Sequence, residues 1–217
     1  MTAKGAYKVG KIRINNEKAI LKAAEQEFAA RGFIGASMQR IAEGAGVART
    51  NVHYYFQNKE ELYGRVLTDA IQMWDASFNQ ITADDDPAQA LSAYIRAKVN
   101  YSKTKPLASR IFASEILHGA PVLSSYLKKD YREWLRAKAA ILEQWAAQGK
   151  MDPVDPFYLI FMIWATTQHY ADFDVQVKMV LGKSRLSGND FDHIADNLIH
   201  IILKGCGITV PNNLLTG

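Results

Sequence analysis

A single cysteine, Cys206, stands among 217 residues. That excludes an internal disulfide framework and any cysteine-based zinc cluster, and it fits a reducing compartment. No apolar run reaches the ~18 residues of a membrane-spanning helix. The richest, Tyr158 to Ala165, gives way to Thr166, Thr167, Gln168 and His169. The first twenty residues lack an apolar core of signal-peptide length, so the expectation is a cytoplasmic protein with no membrane partner. With only 6 prolines and 14 glycines the chain is not of low complexity. No segment alternates with period two between turn signals, so no sheet is expected.

What is present is the composition of a globular chain, 48% apolar and 22% charged. The net charge of +4 is unevenly placed. Residues 1–65 carry 11 Lys and Arg against 6 Asp and Glu, whereas residues 66–217 carry 15 against 16. Lys4, Lys8, Lys11 and Arg13 all precede the first acid, Glu17. A basic first third points to a polyanionic partner at one end. The basic segment reads as an arm without fixed structure, able either to follow a nucleic-acid backbone or to stay uninvolved.

The periodicity is helical throughout and predicts an all-α fold of about nine helices. Ile20, Ala24 and Phe28 recur every four residues, and Gly32 stops the run. Ser37 suits the cap of a short helix ending at Gly44-Ala45-Gly46, and a third runs from about Ala48 to Phe56. Asn58 suits the cap of a long fourth helix with Leu62, Val66, Ala70 and Trp74 in register. Pro87, Lys105-Pro106, Gly119-Ala120-Pro121, Gly149 and Asp155-Pro156 punctuate the rest. One helix is expected from Pro156 to about Leu181 and a last one over about 190–204. The domain boundary is placed at 57/58, with the basic segment and three helices before it and a larger helical body, joined through the fourth helix, after it.

Three short helices with a glycine turn before the third describe a helix-turn-helix. Its second helix must enter a major groove ~12 Å wide, so it must be short and present polar side chains. Arg49, Thr50, Asn51 and His53 supply them, while Val52 and Phe56 face inward. Tyr54, Tyr55 and Lys59 suit phosphate contacts, and the preceding helix offers Gln39 and Arg40. Periodicity alone leaves open a surface helix with two core aromatics.

Residues 32–67, GFIGASMQRIAEGAGVARTNVHYYFQNKEELYGRVL, resemble the DNA-binding segment of the TetR family of bacterial transcriptional regulators. Gly32-Phe33, Ser37, Ile41-Ala42, Ala45-Gly46-Val47, Tyr54-Tyr55-Phe56 and Lys59-Glu60 with Leu62 carry the likeness in order and spacing. The resemblance implies an all-helical homodimer that senses a small molecule and binds duplex DNA. It implies base-facing positions for Gln39, Arg49, Thr50 and His53, and phosphate-contacting ones for Ser37, Asn51, Tyr54 and Lys59. Ala48 departs from the pattern, which has a hydroxyl there to cap the recognition helix; its loss costs about 1 kcal/mol in typical hosts.

Beyond the fourth helix, LIFMIWATTQHYADF at 159–173 is similar to the corresponding helix of the pyrimidine-utilisation, RutR-like subgroup of that family. YIRAK at 94–98, ASRIF at 108–112 and GAPVL at 119–123 follow in matching order. Trp164, Gln168 and Asp172 fall four apart on one helix face. An aromatic plane beside an amide and a carboxylate suits a small flat ligand, and glutamine pairs with an imide edge as donor and acceptor. Trp74 can stack from another side, Lys98 can reach a carbonyl oxygen, and His169 and Tyr170 flank the stripe. The same residues also suit a core tryptophan and polar pairing across a subunit interface. The subgroup makes a pyrimidine the expected effector.

Other signals are weak. Gly5 to Lys11 imitates a P-loop but has Ile12 where a metal-binding hydroxyl belongs. The acids at 190–196 suit the start of a helix better than a metal. No metal, cofactor or catalytic set is expected. An enzyme and an interaction protein that ignores DNA remain the rival classes.

Overall fold

The computed structural model describes the backbone of residues 3–211 and the side chains from residue 13 onward. Among the described residues there are eleven helices and no strand. They form two compact units. The first takes residues up to Ala70 together with Arg110–Leu123, and the second takes Ile71–Ser109 and everything from Ser124. Residues 58–70 and 110–123 thus pack with the helix-turn-helix, although they lie beyond the motif-based boundary at 57/58.

The first unit begins with α1 (Ala3–Gly35), whose helical path breaks at Gly32, where φ is 65°. Only glycine adopts that conformation without strain, so the sequence stop becomes a kink. The basic arm is therefore helical from Ala3 and not the unstructured segment expected. The side chains of Lys4, Lys8 and Lys11 lie outside the described residues. Then come α2 (Met38–Ala45), α3 (Arg49–Tyr55) and the start of α4 (Lys59–Asn79). Ile20, Ala24, Phe28, Ile41, Val52, Phe56, Leu62 and Leu67 form its buried core. The end of α6 (Pro106–Leu117) joins it. There the buried Glu115 accepts the amides of Val122 at 2.6 Å and Leu123 at 3.0 Å.

The second unit holds the rest of α4 with α5 (Pro87–Thr104), α7 (Ser124–Lys128), α8 (Asp130–Ala147), α9 (Pro156–Asp172), α10 (Asp174–Val180) and α11 (Gly188–Gly205). α5 packs on both α9 and α11. Phe78, Leu91, Ile95, Trp145, Ile160, Ile163 and Ile199 are its buried centre. Pro87 and Pro156 open their helices, with Asp86 and Asp155 accepting the amide hydrogens of the first turn.

Two expected helices are each broken in two, which turns about nine into eleven. The helix after Gly119-Ala120-Pro121 starts only at Ser124 and breaks at Lys129, where φ is −117° and ψ −85°. The helix from Pro156 ends at Asp172, and Phe173 bends the chain before α10. Neither break has a glycine or proline. At the second, the carboxylates on either side are drawn to different partners: Asp172 accepts from the Ser109 hydroxyl at 2.6 Å, and Asp174 pairs with Lys178 at 2.7 Å.

Candidate functional site

The helix-turn-helix is assembled by local bonds. Ser37 Oγ accepts the Arg40 amide at 3.2 Å and caps α2. Gly46, with φ of 67°, closes α2 in the left-handed conformation. Ala48 occupies the cap position of α3 in extended backbone with no side-chain hydrogen bond, as its lack of a hydroxyl dictates. Asn58 Oδ1 accepts the Glu61 amide at 2.8 Å and starts α4, while the Glu61 carboxylate returns to the Gln57 amide.

This frame exposes Arg49, Thr50, Asn51, His53 and Tyr54 on one short helix and buries Val52 and Phe56 beneath them. Tyr54 is 71% exposed and meets Tyr55 edge-on. Gln39 is exposed on α2 and donates to Glu43 at 2.8 Å. The His53 ring nitrogen lies 3.3 Å from the Gln57 carbonyl, and Ser37, Arg40 and Lys59 also have internal partners. Ser37 spends its hydroxyl on the cap. Arg40 pairs with Glu27 at 2.6 Å and also donates to the Gly35 carbonyl. Lys59 is turned to the end of α1, donating to the Ile34 and Ala36 carbonyls at 3.3 and 3.1 Å and lying 4.6 Å from the Phe33 ring centre. An ammonium at a helix C-terminus is favoured by the carbonyl dipoles there, so Lys59 fastens α4 to α1.

The five expected ligand residues come together inside the second unit. Trp164, Gln168 and Asp172 are half-buried along α9. Lys98 of α5 is buried, donates to Gln168 Oε1 at 3.3 Å and lies 4.6 Å from the Trp74 ring centre. The Trp164 indole N–H donates to the Tyr94 hydroxyl at 2.7 Å, and its ring centre lies 5.9 Å from that of Tyr131 and 5.7 Å from that of Phe161. His169 and Tyr170 lie elsewhere. They line a cavity of about 600 Å³ with α10 and α11, beside Lys183, Asp190 and His193.

Sequence reasoning missed Asp75, Tyr94, Ser109, Tyr131 and Lys138. Asp75 is buried next to Trp74, with the Tyr131 hydroxyl 3.4 Å away. Its signal was legible: an acid in the apolar stripe of Ile71, Trp74 and Phe78. Burial pushes its carboxyl up to about 6, against the pull of Lys98, Tyr131 and Lys138. Burial likewise brings Lys98 down to about 7, opposed by Asp75 and Asp172. Burial and then Asp75 hold the Tyr131 hydroxyl above its ordinary range. The cluster is an ammonium, two carboxylates, an amide and two indoles in little water, where polar groups discriminate strongly among partners.

Residues 20–66 match a family model described as bacterial regulatory proteins, tetR family, and residues 67–209 match one described as the C-terminal region of YcdC-like protein. The chain belongs to the TetR family of DNA-binding helix-turn-helix transcriptional regulators. The transcriptional regulator RutR of Escherichia coli K12 is 43% identical over 189 residues, covering 87% of this chain and 89% of that protein. The repressor NicS of Pseudomonas putida is 36% identical over 104 residues, 46% of this chain and 47% of its own. Among solved structures, AibR with isovaleryl coenzyme A and operator DNA superposes with a TM-score of 0.65 at 20% identity, covering 90% of this chain and 99% of that one. A regulator from Streptomyces coelicolor, SCO4942, gives 0.65 at 22%, covering 88% and 98%. These structures share the fold. TetR-family domains are regulatory and not catalytic. No described helix is long and apolar enough to cross a membrane.

Proposed function

We propose that this TetR-family regulator binds a pseudo-palindromic operator as a homodimer and is released from it by a small, flat, pyrimidine-like effector. The observation that carries the effector reading is the buried Lys98 ammonium, held by Gln168 Oε1 and the Trp74 ring with Asp75 and Asp172 near it. A pyrimidine offers what this set binds: carbonyl oxygens for the ammonium, an imide edge for the Gln168 amide and flat faces for the indoles. The likeness of residues 159–173 to the pyrimidine-utilisation subgroup supports the same class. Such a regulator serves pyrimidine or nitrogen catabolism.

Titration calorimetry with uracil and thymine tests this. Binding is expected in the wild type and lost in Lys98→Met and Gln168→Leu. Operator affinity that ignores every pyrimidine tried rejects the effector and leaves DNA binding intact.

α4 carries Lys59 at one end and Trp74 and Asp75 further along. Occupation of the site tilts this helix, and the two recognition helices of the dimer lose the spacing of successive major grooves. The effector must then favour the released conformation, since equal affinity for both shifts nothing. Arg49→Ala or His53→Ala changes sequence preference, whereas Tyr54→Ala weakens binding on every sequence. Unchanged preference in Arg49→Ala refutes its base-reading role.

The second copy is expected on α9–α11. Their outer faces leave Tyr158, Phe161, Met162, Met179, Val180 and Ile201 in solvent, the last three at 77%, 80% and 63%. So many large apolar side chains on neighbouring helices mark a partner surface, and two-fold pairing of it gives the operator its symmetry.

A further inference from the structure

Resting on the DNA-binding reading above, we infer that Arg13, on the stretch of α1 that precedes the family match at residue 20, forms a phosphate clamp with Tyr54 of the recognition helix. The Arg13 guanidinium carbon lies 5.9 Å from the centre of the Tyr54 ring. The helix period explains how it gets there. Ile20, Ala24 and Phe28 bury one stripe of α1, and Glu17 and Arg13 continue that stripe toward the N-terminus. Glu17 reaches Arg65 at 3.3 Å, one turn before the stripe enters the core. One turn further out, the stripe leaves the packed interior and delivers Arg13 beside α3.

The pairing of charges in this unit separates Arg13 from its neighbours. Arg31 and Arg40 are tied to Glu27, and Arg65 to Asp69 and Glu17. Arg13 and Arg49 have no carboxylate partner among the described residues, and the twelve residues before Arg13 contain no acid. The fold thus neutralises those three guanidinium groups and leaves one on the recognition helix and one resting on it. A guanidinium that approaches a ring face at this distance is attracted as a cation. Among the described residues no acceptor is committed to the Arg13 N–H groups, whose fork can take a phosphate bidentately. Tyr54 adds its hydroxyl from a ring that is 71% exposed. A duplex that receives α3 in its major groove brings its backbone to the edge of that helix, where the fork and the hydroxyl address one phosphate together.

The test is fluorescence anisotropy of the full chain on mixed-sequence duplexes several turns long, across a range of salt. Wild type is compared with Arg13→Ala, Arg13→Lys, Tyr54→Ala and the Arg13→Ala/Tyr54→Ala double variant. Loss of one phosphate contact lowers the slope of log affinity against log salt by about 1 and weakens binding roughly tenfold, equally on every duplex. Arg13→Lys keeps the slope and recovers part of the affinity. The double variant loses little more than either single one, because the guanidinium acts from the tyrosine ring. An unchanged urea midpoint in Arg13→Ala separates this from a structural role. A slope unaltered in Arg13→Ala, or fully additive losses in the double variant, overturns the clamp while leaving DNA binding in place. Salt-independent binding by the wild type removes the DNA reading itself.

Discussion

At the scale of single residues, the second unit is governed by buried charge. Asp75 holds its proton to about 6 in the fold against an ordinary value of 3.8, so the folded chain binds the extra proton between these values. Stability contributed by this group therefore falls as pH rises from about 4 to 6. Lys98 is the reverse case: with a folded value of about 7 against 10.5, the unfolded chain holds the extra proton in between, and stability rises with pH across that window. Asp75→Asn is expected to flatten the acid limb of the urea midpoint against pH, and Lys98→Met the alkaline limb. Limbs that match the wild type in both variants would show that neither group titrates as burial dictates. In the first unit Glu115 is buried and satisfies two amides of the 119–123 turn. Glu115→Ala strands both and is expected to cost about 2 kcal/mol or more, whereas Glu115→Gln keeps an acceptor and recovers much of it. Equal losses in chemical denaturation would contradict that account.

At the scale of elements, capping chemistry was legible wherever a side chain meets its own helix. Ser37, Asn58, Asp86 and Asp155 stand where a hydroxyl, amide or carboxylate before a helical run predicts a cap, and each accepts an amide hydrogen. Ala48 is the converse, since its backbone is set for a cap that its methyl cannot make. Ala48→Ser is expected to raise stability by about 0.5–1 kcal/mol, seen as a Tm gain of a few degrees. No gain would mean that α3 already finds its acceptor elsewhere. The breaks at Lys129 and Phe173 were not legible. No glycine or proline marks them, and the Ser109–Asp172 bond beside the second joins residues 63 apart. The partners of Lys59 were not legible for the same reason: the carbonyls at Ile34 and Ala36 are 25 and 23 residues away.

At the scale of the whole molecule, the exposed apolar faces of α9–α11 set the expected assembly. Light scattering should give twice the 24.3 kDa of one chain, and thermal unfolding should shift with protein concentration. Met162→Glu with Val180→Glu, on faces 44% and 80% exposed, should yield monomers that keep their helix content and lose operator affinity. Dimers that survive both charges would move the interface to another face of the second unit.

The sequence by itself determined the helices, most of their ends and the family, because periodicity, caps and prolines act between residues within a turn or two of each other. It also placed Trp164, Gln168 and Asp172 on one face, since that follows from spacing alone. Only the tertiary structure decided that Lys98, seventy residues before Gln168, meets it beside Trp74, and that Asp75 and Tyr131 lie with them. It also decided which arginines are neutralised and which remain for a polyanion. Such pairings join helices distant in the chain, and burial sets their charge states through a solvent exclusion that no local pattern encodes.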